Sequence, residues 1–418
     1  MELKEYLKQN FSSVVFEGGA SGHMKHIIDY DELTLDELKA LIYNLFNGRI
    51  EDITEKVDGT NIQASMNEHG QVVFIRNKGD LNSRQGGMTV DDMVTKWQGS
   101  PNVQKTFVES GKKIEQVFDN LSISFFNPED GIRVFVNCEC LTEGTTNIMP
   151  YVSSNVMFHD LWIYENVDGQ WQHKETTKKG LDKIEKAAEK VDGAQITPKV
   201  IVDSVKASEK LVKWYMARCN GVFKSEKLNY KSTVGDYKRA RFGRWLMDNK
   251  CEWVFEQPNG HSGDDVLYNR IINGDKHVNL KSLKEMYPGH EADIDDLEKN
   301  KAKEINRYVV KELDQLFLEM SNSVIEITKG FINDGHADEV IRELEQNLED
   351  TVNDIRSDAD TKETTKTKLV QQLERLNSIG NKINAAEGMV FNYKGKMMKI
   401  TGSFAPLNAI LGSLKFNR

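Results

Sequence analysis

Four cysteines in 418 residues are too few and too scattered for a metal or disulfide framework. Cys138 and Cys140 form the only close pair, and neither Cys219 nor Cys251 completes a second pair at finger or ribbon spacing, which leaves reduced thiols in a core. Long apolar runs are also missing. None approaches the roughly 20 residues of a membrane helix, and the opening MELKEYLKQN has no apolar stretch of secretory type, so the expected setting is the cytoplasm, away from any membrane. Positive charge is in deficit. A formal net charge of -10 excludes a body coated in cations for nucleic acid, while a local basic groove on an acidic body stays open. No internal repeat is visible.

What is present suffices for a sizeable core. With 39% hydrophobic and 29% charged residues, the length predicts two domains, or one domain carrying a large insertion. Residues 1–203 mix short alternating strands with a few helices; DELTLDELKALIYNLF, with Thr34 as cap, is an amphipathic helix. Over 294–383 the pattern turns helical. Ile305, Val309, Leu313, Leu316 and Met320 recur at helical spacing, as do Val340, Leu344, Leu348, Val352 and Ile355, and then Leu369, Leu373, Leu376 and Ile379. The polar linker SDADTKETTKTK separates the last two, predicting helices folded into a bundle. Strand character returns in GMVFNYKGKMMKITGSF, which reads as a hairpin with a Lys-Gly turn.

Between two strand-like runs stands EKVDGTN, Glu55 to Asn61. K-x-D-G arises by chance in roughly one chain of this length in ten, so it carries weight only with partners. Alternation along IRVFVNCECL puts Ile132, Val134, Val136, Cys138 and Cys140 on one apolar face, and Arg133, Phe135, Asn137 and Glu139 on the other. Glu387 precedes a strand in AAEGMVF, and in the returning strand Met397, Lys399 and Thr401 share a face opposite Met398 and Ile400. Arg76 ends the run QVVFIR.

In order, EKVDGTN, IRNKGD, VNCECL, FHDLWIY, EGMVF and KMMKITGSF resemble the motifs of the covalent nucleotidyltransferase superfamily: ATP-dependent RNA and DNA ligases and mRNA capping enzymes. The Glu-Lys start and the trailing Thr-Asn are most similar to the bacteriophage and editing-type RNA ligases. The resemblance covers about residues 50–165 and 384–402. It implies an α+β fold, an ATP-grasp-like ligase adenylation domain of antiparallel sheets flanked by helices, formed by 1–203 plus 376–418. A mainly helical insertion, 204–375, would interrupt it.

By the same resemblance Lys56 attacks the α-phosphorus of ATP to form lysyl-AMP, and AMP then passes to a 5′-phosphate. An ammonium of ordinary pKa, about 10.4, cannot attack, so the site must favour the neutral amine through desolvation and neighbouring positive charge. Lys399 would stabilise the departing pyrophosphate. Glu139 and Glu387 would hold Mg2+ or Mn2+, or Glu139 the ribose. Glu55, Asp58, Gly59, Asn61 and Arg76 would surround the nucleotide, with Phe158 or His159 stacking on adenine. Family members usually close with K-x-K. Here the second position is Thr401, so Lys396 or the insertion would have to supply the missing cation. Only Gly402 to Arg418 follows, too short for the oligonucleotide-binding barrel of DNA ligases and capping enzymes, and this favours RNA over DNA as partner.

Grip on RNA then falls to the start of the insertion, where Lys206, Lys210, Lys213, Arg218, Lys224, Lys227, Lys231, Lys238, Arg239, Arg241, Arg244 and Lys250 interleave with Trp214, Tyr215, Phe223, Tyr230, Tyr237, Phe242 and Trp245. An amphipathic helix pair with solvated lysines and core aromatics explains the same pattern. Gly18, Gly19, His23 and His26 in GGASGHMKH suit either a phosphate-approaching, metal-binding loop or a structural segment. Three kinds of function are therefore open: an ATP-dependent RNA ligase, a capping-type guanylyltransferase or DNA ligase, and a catalytically degenerate module that binds nucleic acid or protein.

Overall fold

A computed structural model of the protein describes residues 25–57, 59–83, 86–142, 154–256, 263–275, 277–330 and 387–402. Asp58, Gly18, Gly19, His23, the second and third expected helices and the linker between them lie outside the described residues.

The first expected helix forms where its signals stand. Helix α1, Leu35–Phe46, is capped by Thr34, whose hydroxyl accepts from the Glu37 backbone N–H while the Glu37 carboxylate accepts from the Thr34 N–H. This reciprocal box satisfies donors that the first helical turn leaves without partners. Its apolar stripe, Leu38, Leu41, Ile42, Leu45 and Phe46, is fully buried.

Two sheets carry the strands of the motifs. The small sheet is antiparallel, in the order β1 (Thr54–Lys56), β10 (Gly388–Tyr393) and β11 (Lys396–Thr401). It joins residues from opposite ends of the chain. The larger sheet runs β3 (Val72–Ile75), β2 (Thr60–Met66), β4 (Ile132–Leu141), β5 (Asn155–Val167) and β6 (Gln170–Thr177), with β7 (Ala194–Ile196) added parallel to the start of β5. A short ladder pairs β8 (Ile201–Val202) with β9 (Thr328–Lys329). Mixed helices and mainly antiparallel sheets make the fold α+β.

Helix α2, Pro101–Phe118, covers one face of the larger sheet. There Phe74, Phe107, Ile114, Phe118, Val134, Val136, Cys138, Cys140 and Phe158 form a closed core, as the alternation in β4 requires. Burial pushes the Cys140 thiol up to about 12 and raises the Cys138 thiol well above its ordinary value, so both act as small apolar side chains.

The apolar face of the small sheet, Met389, Phe391, Met398 and Ile400, packs into a second core. The same core takes Phe46 from α1, Tyr215, Cys219 and Phe223 from α3 (Glu209–Ser225), Tyr237 from α4 (Val234–Asp248), and Leu313, Leu316 and Met320 from α5 (Ala302–Glu326). Residues on both sides of position 204 thus share one core. A separate cluster around Phe242, Trp245, Leu267, Leu283 and Ile305 fills the rest of the helical part. Among the described residues no helix is long and apolar enough to cross a membrane.

Candidate active site

The two sheets each present a polar face, and the sequence-predicted residues divide between them. In the small sheet the register sets Lys56 beside Gly388 and Gly388 beside Thr401, while Thr54, Val390 and Lys399 form the next row. Paired residues point to the same side of a sheet, so Lys56, Lys399 and Thr401 share one face. Lys56 Nζ makes an ion pair with Glu387 Oε1, and the two side chains are only 11% and 5% exposed. Lys399 is equally withdrawn from water, at 7%.

Gly388 makes this row possible. A Cβ there would stand 2.0 Å from the Ile400 carbonyl oxygen and 2.9 Å from Thr401 Cα, so no other residue lets β10 lie this close to β11. Lys394 and Gly395 turn the hairpin in left-handed conformations, φ 52° and 77°, as a tight two-residue hairpin loop demands.

A second group lines the open face of the larger sheet. Asn61 stands opposite Glu139, and its amide donates to Asn137 Oδ1 at 2.8 Å, to the Cys138 carbonyl at 3.2 Å and to Glu139 Oε2 at 3.3 Å. The register between β4 and β5 slips between Asn137 and Cys138, pairing them with Asp160 and Phe158. His159 is the extra residue of this bulge. Its Nε2 lies 3.8 Å from Glu139 Oε2, and its Nδ1 shares a 2.7 Å hydrogen bond with Thr197 Oγ1.

The turn after Lys56 brings the two groups together. A Cβ on Gly59 would fall 2.5 Å from Glu139 Cγ, 2.7 Å from Leu141 Cδ2 and 2.9 Å from the Cys140 carbonyl. Gly59 has no left-handed φ; its role is close approach, which lets the chain run from Lys56 across the end of β4 to Asn61. Five residues of chain span at most about 18 Å, which bounds the separation between Lys56 and Asn61, the residue paired with Glu139.

Several expected members stand elsewhere. Phe158 is fully buried in the core under the larger sheet, where it cannot stack on a base without opening the contact with α2, so of the two aromatic candidates only His159 reaches the open face. Arg76 lies on the packed side, with its guanidinium 4.8 Å from the centre of the Phe107 ring. Burial pushes its pKa down, opposed by Cys140, Asp80 and Glu139. Lys396 projects from the opposite side of β11 to Lys399; it pairs with Glu32 and lies over Tyr30. Glu55 points away from Lys56, beside Met389, and is buried.

Sequence reasoning left His26 undecided and missed Asn137, Thr197 and Asp160. His26 bridges Lys399 on the free edge of β11, next to the Lys399 N–H bond to the Lys25 carbonyl at 3.1 Å. Asp160 accepts from Trp162 Nε1 at 2.7 Å, and burial raises its pKa. The outward phase of Asn137 in β4 was the one available signal for its place; Thr197 gave none.

In the basic and aromatic stretch, Tyr215, Phe223, Tyr237, Phe242 and Trp245 are core residues, whereas Trp214 and Tyr230 are exposed. Lys206, Lys213, Arg218, Lys238, Arg239, Arg241 and Arg244 are held in ion pairs with Asp203, Glu209, Glu319, Asp31, Asp265, Glu226 and again Glu226. That is the amphipathic helix pair, with much of its charge spent internally.

Among the described residues no group of three or more His, Cys, Asp or Glu side chains could hold a metal ion. Two carboxylates belong to these groups, Glu139 beside Asn61 and His159 and Glu387 beside Lys56. Such a pair does not form a protein-only cage, but it suits a hard cation completed by phosphate oxygens and water. No protein-family model matches the chain, and no curated protein or solved structure matches it significantly.

Proposed function

We propose that the protein is an ATP-dependent polynucleotide ligase acting on RNA, through a lysyl-AMP intermediate on Lys56. The observation that carries this reading is the pairing of Lys56 with Glu387 on the sheet face that also bears Lys399. These residues come from three motifs at opposite ends of the sequence, and the fold gathers them around a lysine shielded from water.

The chemistry needs a neutral amine. While Lys56 is half of an ion pair it has no lone pair to give, and Glu387 Oε1 is the group in contact that can take its proton. The amine then forms an N–P bond to the α-phosphorus as the bond to the β-phosphate oxygen breaks, and pyrophosphate leaves with that electron pair. The amine's second proton passes to solvent. Lys399 is placed to stabilise negative charge on the phosphate oxygens. Glu139, together with Glu387 once it has passed its proton to solvent, would hold a Mg2+ or Mn2+ ion, which would supply neutralisation of phosphate charge. His159, fixed by Thr197, offers its ring for stacking on the base, and Asn61 fixes the Glu139 carboxylate.

The test is covalent labelling. Incubation with ATP or GTP labelled at the α-phosphate, followed by denaturing electrophoresis, is expected to label the protein with ATP. Labelling by GTP alone would replace this reading with a capping-type guanylyltransferase. No labelling by either nucleotide, with RNA binding retained, would leave a binding module.

A further inference from the structure

On the reading just given, the site lacks a cation. The strand that carries Lys399 ends in Thr401 where a second lysine is expected, and Lys396 is committed to Glu32 on the opposite side. The cleft face of the small sheet does not end at β11, however. His26 forms a parallel bridge with Lys399 at the sheet's free edge, so its imidazole stands on the same side as Lys399, in the row that continues through Val390 to Thr54.

The groups facing this imidazole come from four elements. Lys399 on β11 and Lys56 on β1 disfavour a positive charge on it, as does its partial burial, which is the largest effect. Asp29, three residues on in its own segment, and Asp314 of α5 favour that charge. Its pKa is held below the usual histidine value, so at neutral pH the ring is neutral in the free protein. A neutral ring spares the two lysines a third like charge. An oligophosphate entering the cleft reverses this balance, because its negative charges favour imidazolium over imidazole.

We infer that His26 is the missing second cation of the site, taking a proton from solvent as a nucleoside triphosphate enters and then donating to its phosphate oxygens beside Lys399. The cation is present only while there is phosphate to bind. A fixed lysine at position 401 would not have this property.

Isothermal titration with α,β-methylene ATP and Mg2+ tests this, because that analogue cannot release pyrophosphate. It is run at about pH 7.5, one unit above the ordinary histidine value, in buffers of different ionisation enthalpy. The wild-type protein is expected to take up a proton on binding, at a stoichiometry that His26→Asn abolishes while weakening affinity about tenfold. His26→Lys should bind with nearly the parental affinity and no uptake. A purely structural histidine would give unchanged proton stoichiometry in every variant. Wild-type binding without proton uptake, or uptake that survives in His26→Asn, overturns the assignment of His26 and leaves Lys56 untouched. A folded wild-type protein that binds no triphosphate overturns it together with the ligase reading.

Discussion

Gly59 shows how one missing methyl group sets a site. Any side chain there would drive into the Glu139 stem and the β4 backbone, and the neighbour at 2.9 Å is a carbonyl that cannot swing aside. Gly59→Ala is expected to cost about 1–3 kcal/mol in urea unfolding, and to reduce self-labelling far more than that loss of stability explains. Unchanged labelling would mean that the turn does not set the distance between the two groups. Asp160 makes a prediction about pH. Its carboxyl is held above the usual range by burial, so the folded state keeps a proton that the unfolded chain releases from about pH 3.9 upward. Wild-type stability from this group is therefore greatest at low pH and is lost as pH rises through the folded pKa. Asp160→Asn, which stays uncharged, should gain on the wild type as pH rises from about 4 towards the folded pKa, read as a growing difference in urea midpoint. A difference that shrinks over that range would contradict the burial argument. Residue by residue, the faces of Glu139 and Lys399 could be read from strand alternation, whereas Lys56, Asn61 and Glu387 could be placed only by the resemblance of their motifs. Phe158, Arg76 and His26 could be placed by neither. The bulge that separates His159 from Phe158 changes which side chain reaches the open face of the sheet, and no local pattern marks it. Arg76 follows the last residue of β3, and what decides its side is a ring on α2.

At the scale of elements, the closing hairpin and the helix pair behave differently. The hairpin was legible down to its turn, because Lys394-Gly395 is the kind of pair a tight loop demands and strand alternation fixed which lysine faces which way. Gly395 has φ +77°, so Gly395→Ala should destabilise the protein by about 1 kcal/mol and slow labelling, since β11 carries Lys399. The helix pair α3 and α4 was legible as helices, whereas the use of its charges was not. Arg241 and Glu226 are 6% and 2% exposed and face each other at 3.3 Å, with Arg244 also on Glu226 at 2.8 Å. Glu226→Ala would leave Arg241 buried with the half-exposed Glu312 as its remaining carboxylate, beside the carbonyl and ring of Tyr308, at a cost of about 3 kcal/mol. Thermal unfolding checks this, and a loss below about 0.5 kcal/mol, the range of ordinary surface substitutions, would show that the pair is not structural.

Over the whole molecule, the small sheet joins β1 to strands from far along the sequence, β10 and β11, and is backed by helices. Its apolar face shares one core with α1, α3, α4 and α5, so the site's lysines rest on residues that the sequence places in an insertion. Composition could not show this, since a helix that covers a sheet and a helix in a separate domain have the same apolar stripe. Replacing 204–330 with a short linker is therefore expected to abolish cooperative unfolding of the remainder. A truncated chain that keeps a sharp urea transition would contradict the shared core.

The most direct measurement is the position of the covalent nucleotide. After incubation with ATP and Mg2+, peptide mass analysis should find AMP on the peptide containing Lys56 and on no other lysine. Lys56→Arg, which keeps a cation for Glu387, should carry none while unfolding at nearly the parental urea midpoint. AMP on a different residue, or equal modification of the folded Lys56→Arg protein, would contradict the account.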